Sequence, residues 1–137
     1  SVYDPVPAAA QAAGAEFDVP WTTSYDELLD RVGAVAIASP TGTHAPLTAQ
    51  AAAAGRHVFC EKPISLDRMT TLDTLAAVES AGIVFQVGFH RRSDPDWAAA
   101  AARIHAGELG EVTLFRTSLR DMTPPDPAFL SGSGGFF

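Results

Sequence analysis

"AVAIASPTGTHAPLTAQAAAAGRHVFC", residues 34–60, contains a short apolar run, a helical stretch and a second short apolar run. The first run, 34–39, is continuous and is bounded by Gly33 and Pro40, which is typical of a strand buried on both faces of a parallel sheet. The alanine-rich stretch that follows predicts a helix closed by Gly55. Because parallel strands need a helical crossover of this kind, the segment predicts a right-handed βαβ unit.

Strands and helices continue to alternate on both sides of this unit. The strand-like start "SVYD" precedes a predicted helix, with Pro5 or Pro7 in its first turn and Gly14 at its C′ position. Ser24 and Glu27 have capping-box spacing and predict the start of the next helix. A further helix and strand follow in "DRMTTLDTLAAVESAG" (67–82) and "IVFQVG" (83–88). This order predicts an α/β fold with a parallel sheet.

The pattern changes after Gly88. "SDPDWAAAAARIHAG" (93–107) predicts a helix, and "EVTLFRTSLRD" (111–121) predicts a long strand because it is rich in β-branched residues. We therefore expect two domains, a partial α/β domain over 1–92 and the start of a second α/β domain with a mostly antiparallel sheet over 93–137.

Composition excludes several classes of protein. The 137 residues carry a formal charge of -7, so no basic stripe is available to neutralise the phosphates of nucleic acid. No apolar run approaches the roughly 20 residues needed to span a bilayer, and the start lacks the features of a signal peptide. Cys60 is the only cysteine, and the four histidines have no metal-ligand spacing. These features predict a cytoplasmic protein without a metal site.

Three places follow predicted strands, where ligands bind in such sheets. Asp4 ends the first strand; an acid there can accept the ribose hydroxyls of NAD and repel the 2′-phosphate of NADP, although it can equally cap the following helix. "SPTGTH" (39–44) offers backbone N–H groups and hydroxyls at a helix N-terminus, although Thr41 or Thr43 could simply cap that helix. Glu61 and Lys62 follow "HVFC".

Lys62 is the only lysine, and the eight other basic residues are arginine. A lysine can exchange a proton near neutral pH when a cationic cofactor or desolvation lowers its pKa, whereas an arginine cannot. The alternative is a surface salt bridge, in which arginine would serve equally well. The following proline also permits a cis Lys62–Pro63 bond, which we expect at this tight turn.

Four motifs together, "SVYD", "AVAIASPTGTH", "GRHVFCEKPIS" and "VGFHRRSDPDW", resemble the NAD(P)-dependent glucose-fructose oxidoreductase and inositol dehydrogenase family (Gfo/Idh/MocA). The resemblance implies a Rossmann domain, NAD as cofactor, a homo-oligomer, and hydride exchange with a secondary alcohol of a cyclic polyol or sugar, closest to inositol 2-dehydrogenase. It implies that Asp4 binds the adenosine ribose and that Lys62 contacts the reacting hydroxyl. It also implies a cofactor groove lined by Ser39, Pro40, Thr41 and His44. It implies further that Glu61 contacts the nicotinamide side and that Arg91 lies near the nicotinamide and the substrate.

The chain departs from the family pattern at two points. It contains no G-x-G-x-x-G, which should precede Asp4 by about 20 residues. The aspartate and histidine that complete the family's catalytic set would follow a glycine-rich turn resembling "SGSGGFF" (131–137). We therefore expect an internal fragment that is itself inactive. Two strand edges should be left unpaired where the family's own first strand, the one before the glycine fingerprint, would lie. Two alternatives remain open: a non-catalytic dinucleotide-binding or regulatory protein, and an interaction module.

Overall fold

The computed structural model describes residues 1–120, 122–127 and 130. These residues form two compact units, of which the first is Ser1–Val87 and the second begins at Gly88. In chain order the first unit contains β1 (Val2–Tyr3), α1 (Pro7–Glu16), β2 (Trp21–Thr22), α2 (Tyr25–Arg31), β3 (Ala34–Ile37), α3 (His44–Ala53), β4 (His57–Cys60), α4 (Arg68–Ala81) and β5 (Phe85–Val87). The alternation confirms the predicted α/β class, and the unit boundary falls before Gly88, whereas the sequence predicts a domain boundary after Arg92.

All strand pairs in the first unit are parallel, and they form two separate sheets. β1 pairs with β2, and β3, β4 and β5 pair in that order. The N–H groups of Val2 and Asp4 donate to carbonyls of the β2 side, so the polar backbone groups of Tyr3 face away from β2. A cavity of about 800 Å³ lies between β1 and β3 and is lined by both strands. The expectation of two unpaired edges is thus met among the described residues.

The core lies on one face of the larger sheet. Val35 and Ile37 of β3 and Val58 and Cys60 of β4 are buried against side chains of α2 and α3. The alternate residues of both strands are exposed, including Ala36. The prediction that β3 is buried on both faces is therefore wrong for this chain. In the described part of the chain, α3 packs on the sheet and α4 packs on α3, which leaves the opposite face of β3 and β4 open.

Gly14 lies inside helix α1, whereas the sequence predicted that it follows the end of the helix as the C′ residue. Helix α1 continues past it to Glu16, and Gly14 is buried within the helix. A Cβ atom at this position would lie 2.7 Å from Cδ1 of Trp21 and 3.0 Å from the carbonyl oxygen of Val19. Glycine is needed here because β2, which the sequence did not predict, approaches the helix closely.

The capping box at the start of α2 is only half formed. Ser24 Oγ accepts a hydrogen bond from the Glu27 N–H at 3.3 Å, as predicted. The Glu27 carboxylate does not return to the Ser24 backbone; it accepts hydrogen bonds from the Thr22 hydroxyl and from Arg31 instead. The cap therefore ties the start of α2 to the end of β2.

The second unit contains α5 (Pro95–His105), as predicted, with Asp94 accepting hydrogen bonds from the N–H groups of Asp96 and Trp97. Residues 111–120 form no strand and are exposed, so the predicted strand over 111–121 is wrong for these residues. β-branched side chains favour a strand only where a neighbouring strand completes the hydrogen-bond ladder, and none does so among the described residues. Position 121 and the "SGSGGFF" segment lie outside the described residues, and the residues that are described include no antiparallel strand pair. No helix in the described ranges is long and apolar enough to cross a membrane.

Candidate cofactor and catalytic site

The predicted site residues of the first unit follow the carboxyl ends of parallel strands. β3 and β4 are neighbours in register, with Ile37 opposite Cys60. The chain therefore leaves the two strands at adjacent positions, one strand leading to Ser39 and the other to Glu61. In open parallel sheets this edge is where ligands bind.

Asp4 follows β1 and holds the turn that leads to α1. Its Oδ1 accepts a hydrogen bond from the Val6 N–H at 2.8 Å. The N-cap of α1 is Val6, and no side chain makes a capping hydrogen bond there, so Asp4 does not cap the helix as the alternative held. Its Oδ2 accepts no hydrogen bond among the described residues. Asp4 lines the cavity between β1 and β3 together with Ser39 and Pro40. One carboxylate oxygen therefore stays available to a ligand in that cavity.

The turn between β3 and α3 is held by its own hydroxyl groups. Ser39 Oγ and Thr43 Oγ1 lie 2.5 Å apart, and Thr43 Oγ1 donates to the Pro40 carbonyl at 2.8 Å. Thr43 is the N-cap of α3 but makes no side-chain capping hydrogen bond, and Thr41 lies in a 3-10 turn over Thr41–Thr43. The alternative that one of these threonines caps α3 is therefore wrong, and no side chain caps this helix N-terminus.

His44 is buried, whereas the sequence predicted a position on the surface of the cofactor groove. Only 2% of the residue is exposed. Its Nδ1 is 2.7 Å from the carbonyl oxygen of Pro63, and its Nε2 is 2.7 Å from the carbonyl oxygen of Ser39. The ring thus connects the turn after β3 to the loop after β4 and presents no free nitrogen to a cofactor. Sequence reasoning could not find this link because both partners are backbone carbonyls, which leave no trace in the residue pattern.

Glu61 and Lys62 begin the loop after β4. The Glu61 N–H donates to the Ile37 carbonyl at 2.8 Å, and the Lys62 N–H is 3.1 Å from Glu61 Oε2. Lys62 is exposed, and its ammonium group forms no ion pair among the described residues. The salt-bridge alternative is therefore not observed. The Lys62–Pro63 peptide bond is cis, which confirms the prediction.

Arg91 belongs to the second unit and is described there by itself. Its guanidinium carbon lies 5.1 Å from the ring centroid of Trp97, within the range of a cation–π contact. Trp97 in turn lies 5.9 Å from the ring of Phe115. Neither Arg91 nor the neighbouring Arg92 forms an ion pair with Asp94 or Asp96 among the described residues.

Two buried groups near the site are held in their neutral forms. Burial raises the pKa of the Cys60 thiol, so this cysteine is a packing residue and not a thiolate nucleophile. Burial, with Tyr3 and Cys60 nearby, raises the pKa of Tyr25 to about 12, and its hydroxyl donates to the Leu47 carbonyl at 3.2 Å. Among the described residues no group of three His, Cys, Asp or Glu side chains could hold a metal ion.

The family profile described as "Oxidoreductase family, NAD-binding Rossmann fold" (GFO_IDH_MocA) matches residues 1–89, more than half of the chain. The chain therefore belongs to the Gfo/Idh/MocA oxidoreductase family. Its first unit is the family's NAD-binding Rossmann domain, in agreement with the parallel sheets and with the ligand edge described above.

Several named dehydrogenases resemble the chain over most of its length. It is 36% identical to the scyllo-inositol 2-dehydrogenase (NAD(+)) of Bacillus subtilis strain 168, over 99% of this chain and 41% of the relative. It is 39% identical to the inositol 2-dehydrogenase of Rhizobium meliloti strain 1021, over 100% of this chain and 42% of the relative. The crystal structure of the WlbA dehydrogenase from Bordetella pertussis in complex with NADH and UDP-GlcNAcA superposes with a TM-score of 0.75 at 28% identity, covering 79% of this chain and 32% of that one. The chain thus spans less than half the length of these relatives.

The described residues fit part of a dinucleotide. Asp4 and the turn at Ser39 and Pro40 line the same cavity between β1 and β3. The 3-10 turn over Thr41–Thr43 leads into the N-terminus of α3, and the positive end of a helix dipole favours oxygen atoms of a ribose or phosphate. These groups suit the polar parts of NAD, whereas the chain has no glycine fingerprint for the pyrophosphate.

Proposed function

We propose that this chain is the cofactor-binding part of an NAD-dependent dehydrogenase that acts on a secondary alcohol of a cyclic polyol or sugar. The observation that carries the proposal is the placement of Lys62. It follows β4 at the ligand edge, its ammonium group is exposed, and no carboxylate among the described residues pairs with it. A lone lysine in this position is available to a bound substrate.

The residues of the first unit divide between the two ends of the cofactor. Asp4 would bind the adenosine ribose through its free oxygen, and Ser39, Pro40 and Thr41 would line the groove. Glu61 would contact the nicotinamide side from the start of the next loop. For Arg91 we propose a position near the nicotinamide and the substrate; its guanidinium carbon lies 5.1 Å from the ring centroid of Trp97. His44 is omitted from the groove because its ring is buried.

The chemistry assigned to the protein is proton handling and orientation. When bound, NAD supplies the hydride acceptor. In its neutral amine form Lys62 takes the proton of the substrate hydroxyl, directly or through a relay, and becomes the ammonium as the carbonyl forms. Arginine cannot do this because its guanidinium stays protonated. The Glu61 N–H, bound to the β3 carbonyl of Ile37, fixes the point from which Lys62 extends.

The substrate class is proposed from the relatives. Both curated relatives above are inositol 2-dehydrogenases, and they match the chain from end to end. We therefore propose myo-inositol or scyllo-inositol as the first substrates to examine, with oxidation at a ring carbon. A ring with several hydroxyls would also offer the Lys62 amine more than one hydrogen-bond partner.

Turnover in the complete enzyme tests the proposal. The full-length protein would be assayed by NADH absorbance with myo-inositol, scyllo-inositol and glucose, using mannitol as an acyclic control. We expect NAD reduction with at least one cyclic polyol or sugar and little with mannitol. NAD binding without turnover on any cyclic polyol or sugar would instead favour the non-catalytic regulatory alternative.

A further inference from the structure

His44 is a buried imidazole whose two nitrogens both contact carbonyl oxygens. Nδ1 lies 2.7 Å from the Pro63 oxygen, and Nε2 lies 2.7 Å from the Ser39 oxygen. A carbonyl oxygen can only accept a hydrogen bond, so each contact needs a proton on the histidine nitrogen. A neutral imidazole carries one N–H, and it can satisfy only one of the two carbonyls. Its other nitrogen would then place a lone pair against the second oxygen.

A reversed ring does not remove the conflict. Turning the imidazole by half a turn would bring the ring carbons Cδ2 and Cε1 close to the carbonyls in place of the nitrogens. C–H···O contacts have carbon–oxygen distances of about 3.3–3.6 Å, which is longer than the 2.7 Å separation found here. Hydrogen bonds from a charged nitrogen to oxygen fall at about 2.7–2.9 Å, in agreement with both contacts.

We propose that His44 is a doubly protonated positioning residue that fastens the cofactor turn to the loop carrying Lys62. The imidazolium donates one hydrogen bond to the turn after β3 and one to the loop after β4. No carboxylate forms an ion pair with His44 in the described part of the chain, so the two carbonyl dipoles are its observed hydrogen-bond partners. This inference rests on the proposed function of Lys62 for its catalytic consequence, but not for the protonation state.

The hydrogen bond between His44 and the Pro63 carbonyl fixes the loop just after Lys62. The Glu61 N–H anchors the loop to β3 just before Lys62, and the His44 contact holds the Pro63 carbonyl just after it. Lys62 therefore extends between two anchors, and both lead to the strand and turn proposed to line the cofactor groove. A proton-transferring side chain needs placement of this kind, because displacement by about 1 Å can lower the rate on the order of 10²-fold.

Nuclear magnetic resonance of the histidine ring tests the protonation state without any assay of activity. The three exposed histidines would be replaced together (His57→Gln, His90→Gln, His105→Gln), and the protein would be labelled with ¹⁵N-histidine near pH 7. We expect two slowly exchanging ring N–H signals from His44, one on each nitrogen. A single N–H signal, or rapid exchange of both, would overturn the proposal. Because His44 itself is retained, the test does not depend on whether a His44 variant folds.

Kinetics of the full-length enzyme test the positioning role. His44→Gln can keep a donor to one carbonyl but not the rigid link between the two loops. We expect kcat to fall on the order of 10²-fold while KM for NAD changes only a few-fold, with His105→Gln as the control of unchanged activity. An unchanged kcat for His44→Gln would overturn the positioning role. If the wild-type enzyme itself shows no turnover, the proposed function fails, whereas the ring signals still decide the protonation state.

Discussion

Replacing Gly14 with alanine should destabilise the first unit, although alanine favours helices. In an exposed helix interior this substitution gains about 1 kcal/mol in the free energy of unfolding. Here the new methyl group would lie 2.7 Å from Trp21 Cδ1, 3.0 Å from Trp21 Cβ and 3.0 Å from the Val19 carbonyl oxygen. Carbon atoms pack best at about 3.5–4.0 Å, and overpacking costs about 1–3 kcal/mol. Together the two effects should lower the free energy of unfolding by about 0–2 kcal/mol.

Equilibrium urea unfolding followed by circular dichroism would measure this change. Ala12→Gly, at an exposed site of the same helix, is the matched control, and it should lose about 1 kcal/mol through propensity alone. Trp21→Ala should relieve part of the clash, so Gly14→Ala should cost at least about 0.5 kcal/mol less in that background. If Gly14→Ala instead raises stability by the full propensity gain, the close approach of β2 to α1 is not as the structure has it.

Three further outcomes are expected. The full-length enzyme should prefer NAD to NADP because Asp4 would meet the 2′-phosphate, and Asp4→Ser should reduce the ratio of the two kcat/KM values; equal values in the wild type would contradict this. Because the pKa of Tyr25 is raised to about 12, its stabilising contribution is present below about pH 10 and is lost as the pH rises through 12. Wild type should therefore lose about 1 kcal/mol more than Tyr25→Phe between roughly pH 9 and 11 in urea unfolding. The 137-residue chain alone should bind NAD with a Kd of roughly millimolar or weaker by calorimetry, because it has no glycine fingerprint for the pyrophosphate; a micromolar Kd would contradict this.

The elements that the sequence predicts correctly are those with strong local patterns. The β3, α3 and β4 unit follows from two apolar runs around an alanine-rich helix, and Gly55 ends that helix with a φ of +67°. The two-residue strand β2 was missed because so short a strand has no periodicity, and it depends on pairing with β1. The long strand predicted over 111–121 failed for the opposite reason, since its composition favours a strand but the described residues offer it no partner.

The sequence predicted the positions of those candidate side chains that directly follow a strand. Glu61 and Lys62 follow β4 at the ligand edge, and Asp4 and Ser39 meet at one cavity, as the order of strands implies. The buried position of His44 was not predictable, because a histidine at the start of a helix has the same local pattern whether it faces a groove or two carbonyls.

The most direct test of the account is the substitution Lys62→Arg in the full-length enzyme. It keeps the positive charge but removes the group that can exchange a proton. We expect NAD binding to remain within a few-fold of wild type while turnover falls by more than tenfold, a rise of more than about 1.4 kcal/mol in the barrier. Arg31→Lys, an exposed arginine that pairs with Glu27 on α2, is the matched control and should keep full activity. A Lys62→Arg enzyme that keeps more than about a tenth of the wild-type rate would show that Lys62 does not handle the proton.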